Sequence, residues 1–352
     1  MKHHLNYVKN DPNYILLDKI FKIIDCTNSQ KIMASYGIKN INLFILCLKI
    51  IFTGLFFDLD INFIVNDLNN SLELRQFFNI SSVPKTSQIY NFFGKISEDQ
   101  ILEITNRILK TFKLHRRNRK MTYIIDATPV DLNFNVKRKK RSKEHLKSLD
   151  LKWSYSSSQG FYIGFKATVV IEYESAIPVA ILIHSGAKHD TKIFDEILQE
   201  LKRRRLLKKE DTIIFDKGYY SYNNYIHGIA KYNIVPFIFP KGNIKIEKLE
   251  GLLSYPLDIY SKNKDTKKLK KSYKNNAKKL IQLIKKWKQY KPIRGKIEDF
   301  FKLCKQGLHL KKINKYTPKS VKKITILGVF LAGLITTIGY NKKTDLQTLS
   351  ES

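Results

Sequence analysis

At 352 residues the chain is long enough for about two domains of ordinary size, and its 43% hydrophobic content can bury a real core, which excludes a disordered tail. Lys and Arg total 64 against 31 Asp and Glu, a formal charge of +33, so a polyanionic partner is expected, with counterion release from a phosphate backbone supplying affinity. A codon bias toward Lys would explain Lys in place of Arg but not the shortage of acids, and three scattered cysteines (Cys26, Cys47, Cys304) without a CxxC pair argue against structural zinc and a disulfide framework.

The opening residues, MKHHLNYVKNDPNYILLDKI, lack the continuous apolar stretch of a signal peptide. Residues 1–120 are predicted to be all-helical and DNA-binding, with apolar positions recurring at three and four (Ile15, Leu16, Ile20, Ile23, Ile24). The apolar run 41–59 is interrupted by Lys49 and Asp58, which speaks against a membrane span. In SSVPKTSQIYNFFGKISEDQ (81–100), Pro84 opens a segment and Ser87 is a candidate helix cap. A short helix there is either a helix-turn-helix reader or a plain helical hairpin, and the sequence leaves both open. HRRNRK (115–120) forms a basic hinge.

From residue 121 the period changes. TYIIDATPVDL (122–132), GFYIGFKATVVIEY (160–173) and AIPVAILIHSG (176–186) are β-branched and aromatic runs separated by turns. An amphipathic helix (190–207), a strand DTIIFD (211–216), a short helix (221–232) and a strand IVPFIFPK (234–241) follow. Three strands, helix, strand, helix, strand predicts an α/β sheet of mixed direction across 121–241. Residues 242–290 change again: between Lys262 and Lys288 there are 12 Lys with Asp265 as the sole acid. Leu280, Leu283, Ile284 and Trp287 fall at helical spacing, so this insertion is read as helical and basic, the alternative being a solvated linker. Residues 291–343 are expected to be helical throughout, with 344–352 a frayed tail. The uncharged run 324–340 is short for a membrane span and is read as a buried core helix.

Asp126 and Asp216 each follow an apolar triad, Tyr123-Ile124-Ile125 and Ile213-Ile214-Phe215, and are expected to end their strands. An acid at the rim of a buried strand is held rigidly with its head toward solvent, and two on neighbouring strands can share a hard cation such as Mg²⁺. One strand-end Asp alone is more often a turn former. A phosphodiester site with two metal ions needs a third acid, and the candidate is Glu298 in RGKIEDFFKLCKQGLHL (294–310). On a helix, Arg294 at i−4 and Lys305 two turns on share the face of Glu298. An ordinary Arg294–Glu298 salt bridge is the competing explanation.

At these residues the chain resembles the DDE transposases, particularly the IS4-like insertion-sequence families. IIDATPV resembles the surroundings of that group's first acid, and IIFDKGYYSYNNY those of the second. Arg294, Glu298 and Lys305 match the R-x₃-E-x₆-K signature, with Tyr290 separated from the Arg by three residues where the signature has two. SGAKHDTKIF (185–194) resembles the region before the first core helix, where His189 and Asp190 recur. The resemblance spans roughly 121–340. It implies a ribonuclease-H-like mixed sheet with flanking helices, carrying Asp126, Asp216 and Glu298 as catalytic acids and ligands of two Mg²⁺ (or Mn²⁺) ions. The implied activity is cleavage at transposon ends and strand transfer into target DNA, by a homodimer or higher synaptic multimer on double-stranded DNA, in the cytoplasm of a prokaryote and without a membrane. Arg294, Lys305, Tyr290 and Lys217 would contact phosphates. Trp287 would either stack on a displaced base or pack on its own helix, and His189 would either support the acids or cap a helix. Two other readings are kept open: a nuclease of the same fold without strand transfer, and an inactive DNA-binding descendant. The 82 residues from Asp216 to Glu298 exceed what a bare core requires, which is where relatives carry an insertion.

Overall fold

The computed structural model describes residues 4–112 (without 6 and 8), 120–132, 153–156, 160–254 (without 187 and 243), 266–340 (without 312 and 314–316), 345 and 349. The basic hinge 115–120 and the expected tail 344–352 therefore fall largely outside the described residues. The N-terminal third is helical as expected: α1 (Pro12–Asp25), α2 (Thr27–Ser35), α3 (Ile41–Phe57), α4 (Ile61–Asn70), α5 (Leu72–Phe78), α6 (Thr86–Lys95) and α7 (Glu98–Thr111). Local chemistry sets the ends. Asp11, Asn40, Asp60, Ser71 and Ser97 accept a backbone N–H at their helix starts. Ser87 is not the cap of α6: Lys85 holds that position, and its N–H donates to Gln88 Oε1 at 2.9 Å. Lys85 is extended (φ −62°, ψ 145°) and the helix starts at Thr86, before Ser87 is reached.

The run 41–59 forms the largely buried helix α3, followed by a turn at Asp58. Its lysine is accommodated in the core, where Lys49 Nζ donates to Asp25 Oδ2 (2.8 Å) and to the Phe78 carbonyl (2.9 Å). A buried ammonium survives only with such partners.

The sheet has six strands: β1 (Thr122–Asp131), β2 (Trp153–Ser156), β3 (Gly160–Glu172), β4 (Pro178–Ser185), β5 (Thr212–Phe215) and β6 (Val235–Ile238). Its order is β2-β3-β1-β5-β6, with β4 also on β3. The β1–β3 and β3–β4 pairs are antiparallel, while β1–β5 and β5–β6 are parallel. This is the expected mixed sheet, compatible with a ribonuclease-H-like transposase domain, plus the short strand β2. Helices α8 (Asp190–Arg203) and α9 (Tyr222–Tyr232) make the crossovers. Asp126 does not end β1. The strand continues to Asp131 because its antiparallel ladder with β3 runs on, while its parallel ladder with β5 stops at Ile125–Phe215.

The Lys-rich region carries α10 (Ile246–Ser254) and α11 (Thr266–Lys285), so its described part is helical. Tyr273, Asn276, Leu280 and Ile284 turn one face of α11 inward. Asn276 donates to Asn233 Oδ1 (2.8 Å) and Lys279 to Thr212 Oγ1 (2.8 Å), which fixes the helix beside β5 and β6. A 3₁₀ segment (Trp287–Arg294), α12 (Gly295–Lys302), a π turn (Leu303–Gly307) and α13 (Pro318–Thr337) complete the described chain. The expectation of unbroken helix over 291–343 is thus corrected: Pro292 lies in the 3₁₀ segment, and the chain leaves helix after Gly307. Among the described residues α13 is the single helix long and apolar enough to cross a membrane, and it is mostly buried, packed on α7, α3 and β4. One hydrophobic cluster joins the sheet to Leu16, Ile20, Phe44, Ile104 and Ile108 of the N-terminal helices. A smaller cluster (Leu17, Phe21, Ile50, Leu68, Phe78 among others) lies within those helices.

Candidate functional site

The site grows from the place where two parallel strands stop pairing. Ile125 pairs with Phe215, and the next residue on each strand is an acid, Asp126 and Asp216. Neighbouring strands lie about 4.8 Å apart, so the register alone sets these carboxylates side by side. Both are largely covered, their side chains 17% and 21% exposed. The Ala127 N–H donates to Asp126 Oδ1 at 2.7 Å. Burial, reinforced by the Asp216 carboxylate, pushes the Asp126 carboxyl up to about 7, while the Ala127 amide and Arg294 pull the other way.

Arg294 ties the third acid to this pair. It ends the 3₁₀ segment, and its guanidinium lies 2.9 Å from Asp216 Oδ1, 3.6 Å from Asp126 Oδ2 and 3.4 Å from Glu298 Oε1. Phe239, just past β6, presents its ring 6.0 Å from the guanidinium carbon and backs it from one side. Glu298 stands one turn into α12 and is 55% exposed, the most open of the three acids. Lys305 sits beyond it in the π turn. Burial holds its ammonium below the usual lysine range, and Asp126 is among the charges acting on it. The π turn re-aims Lys305 relative to the continuous helix expected from sequence.

The turn after Asp216 is a 3₁₀ turn (Lys217–Tyr219). Gly218 is required there by close approach: a Cβ at that position would lie 2.6 Å from Asp190 Oδ2. Asp190 opens α8 and receives Lys166 Nζ of β3 on its other oxygen at 2.9 Å. A fourth carboxylate, neutralised by its own lysine, therefore abuts the Asp216 turn and adds to the charges acting on Asp126. Behind it, Thr168 Oγ1 and His184 Nε2 are 3.0 Å apart, and burial lowers the imidazole's proton affinity.

A family model, the transposase DDE domain, matches residues 103–332. The chain belongs to the transposase DDE-domain family. No curated protein and no solved structure matches it. The family's match begins inside α7 and ends inside α13, earlier than the core boundary expected at 121. For a DDE transposase the metal question is decided by the donor set. Among the described residues no three acidic, His or Cys side chains are gathered closely enough to hold an ion as they stand. The space between the acids is spanned by the guanidinium. The donors nevertheless fit a hard divalent ion: they are carboxylates, and Asp216 Oδ1 is a buried oxygen without a hydrogen bond, since Arg294 lies near it but off the N–H axis.

The remaining expected contacts fall at varied distances from this centre. Lys217 is exposed in the turn beside Asp216. Tyr290 packs edge-on against Phe237 (5.5 Å) in the 3₁₀ segment, one turn before Arg294. Trp287 is half-buried, facing Phe239 at 6.5 Å with Lys291 Nζ 4.9 Å above its ring. His189 holds the N-cap position of α8, exposed and without a side-chain capping bond. Asp190 lies in the SGAKHDTKIF stretch that resembles the family, but its partner Lys166 and His184 were not foreseen as parts of the site. The signal for the pair was faint, a lysine inside an apolar strand.

Proposed function

We propose that the chain cleaves DNA at transposon ends and transfers the freed 3′ end to target DNA, with Asp126, Asp216 and Glu298 as its metal-holding acids. The observation that carries this reading is the meeting of all three acids on Arg294, two from the point where β1 and β5 stop pairing and one from a late helix. Two Mg²⁺ or Mn²⁺ ions held by these carboxylates would supply activation of the attacking oxygen and stabilisation of the leaving one. Asp126 and Asp216 are fixed by the sheet and orient the site. Glu298, on the more open helix, closes it. Arg294 and Lys305 bind the phosphate on either side of Glu298, and Lys217 grips the backbone next to Asp216. The +33 charge and the outer face of α11 add affinity for duplex DNA without reading its sequence. Assembly as a homodimer or larger synaptic complex, and the IS4-like affiliation, belong to the same reading.

The test is a gel assay on labelled DNA carrying the inverted repeats that flank the gene, with Mg²⁺ or Mn²⁺. Cleaved and joined products are expected from the native chain. Asp216→Asn is expected to abolish both while leaving binding intact; cleavage at the native rate by that variant would sink the assignment. Cleavage without joining would establish the nuclease reading instead.

A further inference from the structure

The main sheet carries a two-stranded extension that the proposed chemistry does not use. Strand β2 pairs with the first residues of β3, Trp153 opposite Ile163 and Tyr155 opposite Phe161. One face of this ribbon is seated: Ser154 and Tyr162 are buried, and a Cβ on Gly186 at the end of β4 would lie 2.6 Å from Ser154 Oγ and 2.8 Å from Tyr162 Oη. The other face presents three large aromatics to solvent, Trp153 (55% exposed), Tyr155 (63%) and Phe161 (76%). Tyr155 and Phe161 meet edge-to-face at 5.3 Å. Rings held on a packed strand pair lose little freedom on contact, and so much exposed aromatic surface calls for a partner.

Position and charge favour one partner. The parallel strands point their C-terminal ends at the acids, and β1 runs on past Asp126 in that direction until Leu132 bonds to Ile163, level with Trp153. Six residues of strand span about 20 Å, within reach of a DNA strand held at the acids. The sequence 133–152 that leads into Trp153 carries eight Lys or Arg against Glu144 and Asp150. Every base has a π face, so a row of exposed aromatics forms a platform for unpaired bases without sequence preference.

We infer that Trp153, Tyr155 and Phe161 form a stacking platform for unpaired bases of the DNA strand held at the three acids, about 20 Å along the sheet from Asp126. The inference rests on the proposed reading of the site as a DNA-cleaving centre. Strand separation near the cut exposes bases, and the ribbon would hold them away from re-pairing.

The full chain is tested without divalent metal, so that binding is read apart from cleavage. The probes are a single strand of about ten thymidines, within the usual site sizes for such platforms, and a duplex of about twenty base pairs. The chain has two tryptophans, so Trp287→Phe leaves Trp153 as the reporter. The single strand is expected to quench Trp153 emission, and the duplex to leave it largely unchanged. The triple substitution Trp153→Ala, Tyr155→Ala and Phe161→Ala is expected to weaken single-strand binding by about tenfold or more while duplex binding stays within about twofold. Equal single-strand affinity in the triple variant, with Trp153 emission unmoved in the reporter variant, would overturn the platform. If the native chain still cleaves end DNA, the proposed function stands without it; if it neither binds nor cleaves DNA, both fall. A triple variant that loses self-association with unchanged DNA binding would assign the ribbon to contact between copies and refute the inference.

Discussion

Replacing Arg294 with Gln tests the central feature of the site. The substitution removes one positive charge set 2.9, 3.4 and 3.6 Å from three carboxylates while keeping a polar side chain of similar reach. Unit charges 4 Å apart attract by about 4 kcal/mol at an effective dielectric of 20. Desolvation and the openness of Glu298 offset much of that, so the net loss for the metal-free chain is about 1–3 kcal/mol. At roughly 2 °C per kcal/mol for a chain this long, the metal-free melting midpoint should fall by about 2–6 °C in differential scanning fluorimetry. The carboxylates left without a counter-charge are then freer to take a divalent ion. Calorimetric titration with Mn²⁺ should show tighter binding, about 5- to 100-fold if most of the same free energy returns on metal binding, and saturating Mn²⁺ should restore the midpoint. DNA cleavage should nevertheless fall, because the same guanidinium holds a phosphate in the proposed reaction. An unchanged metal-free midpoint, or weaker Mn²⁺ binding, would refute the view that Arg294 stands in for a metal among the acids.

Asp126 gives a pH dependence with a defined sign. Its folded carboxyl titrates near 7, above the ordinary value near 3.9 in an unfolded chain, so between these values the native state holds a proton that the unfolded chain has lost. Metal-free stability should therefore fall as pH rises from about 4 to 7, and Mn²⁺ affinity should rise over the upper part of that window; a midpoint that climbs with pH through this range, traced to Asp126 by comparison with Asp126→Asn, would contradict it. Asp126→Asn should raise the metal-free midpoint at pH 8, by removing a buried charge beside Asp216, while eliminating cleavage. Gly218→Ala should impair cleavage and Mn²⁺ binding together, since its methyl would press on Asp190 Oδ2; equal Mn²⁺ affinity in titration would show that the turn yields harmlessly. Lys49→Met should lower the midpoint in the presence and absence of metal alike, by an amount reflecting about 1–3 kcal/mol, because the Phe78 carbonyl is left unpaired; a change confined to the metal-bound chain would place Lys49 outside a purely structural role.

Most of the fold was legible because its signals are local. Runs of β-branched and aromatic residues bounded by turns marked β1, β3, β4, β5 and β6, and a basic helix was readable from Leu280 and Ile284 even among twelve lysines. The short strand β2 was not legible, because Trp153-Ser154-Tyr155-Ser156 carries its aromatics on the face that stays in water. Burial against a core, the source of the strand signal elsewhere, acts within β2 only through Ser154. The end of α12 was hidden for a different reason. Nothing in Leu303–Gly307 breaks helical spacing, and the π turn becomes visible only in the backbone bonding of Leu308 to Leu303.

The acids themselves divide along the same line. Asp126 and Asp216 were readable as a pair because apolar triads place them, and β1–β5 register converts that placement into adjacency without any side-chain contact between them. Glu298 has no such support from a strand, and spacing to Arg294 alone is equally the mark of a surface ion pair. What distinguishes the two is where the guanidinium's other contacts go. An i,i+4 bridge on an exposed helix would leave the remaining N–H groups in water. Here the guanidinium also lies 2.9 Å from Asp216 Oδ1 just past β5 and 3.6 Å from Asp126 Oδ2 within β1, with Phe239 behind it. That convergence joins residues separated by 82 and 172 positions in the chain (298 − 216; 298 − 126). A spacing motif can nominate Glu298, but its membership in the site is a property of the packing between α12 and the sheet.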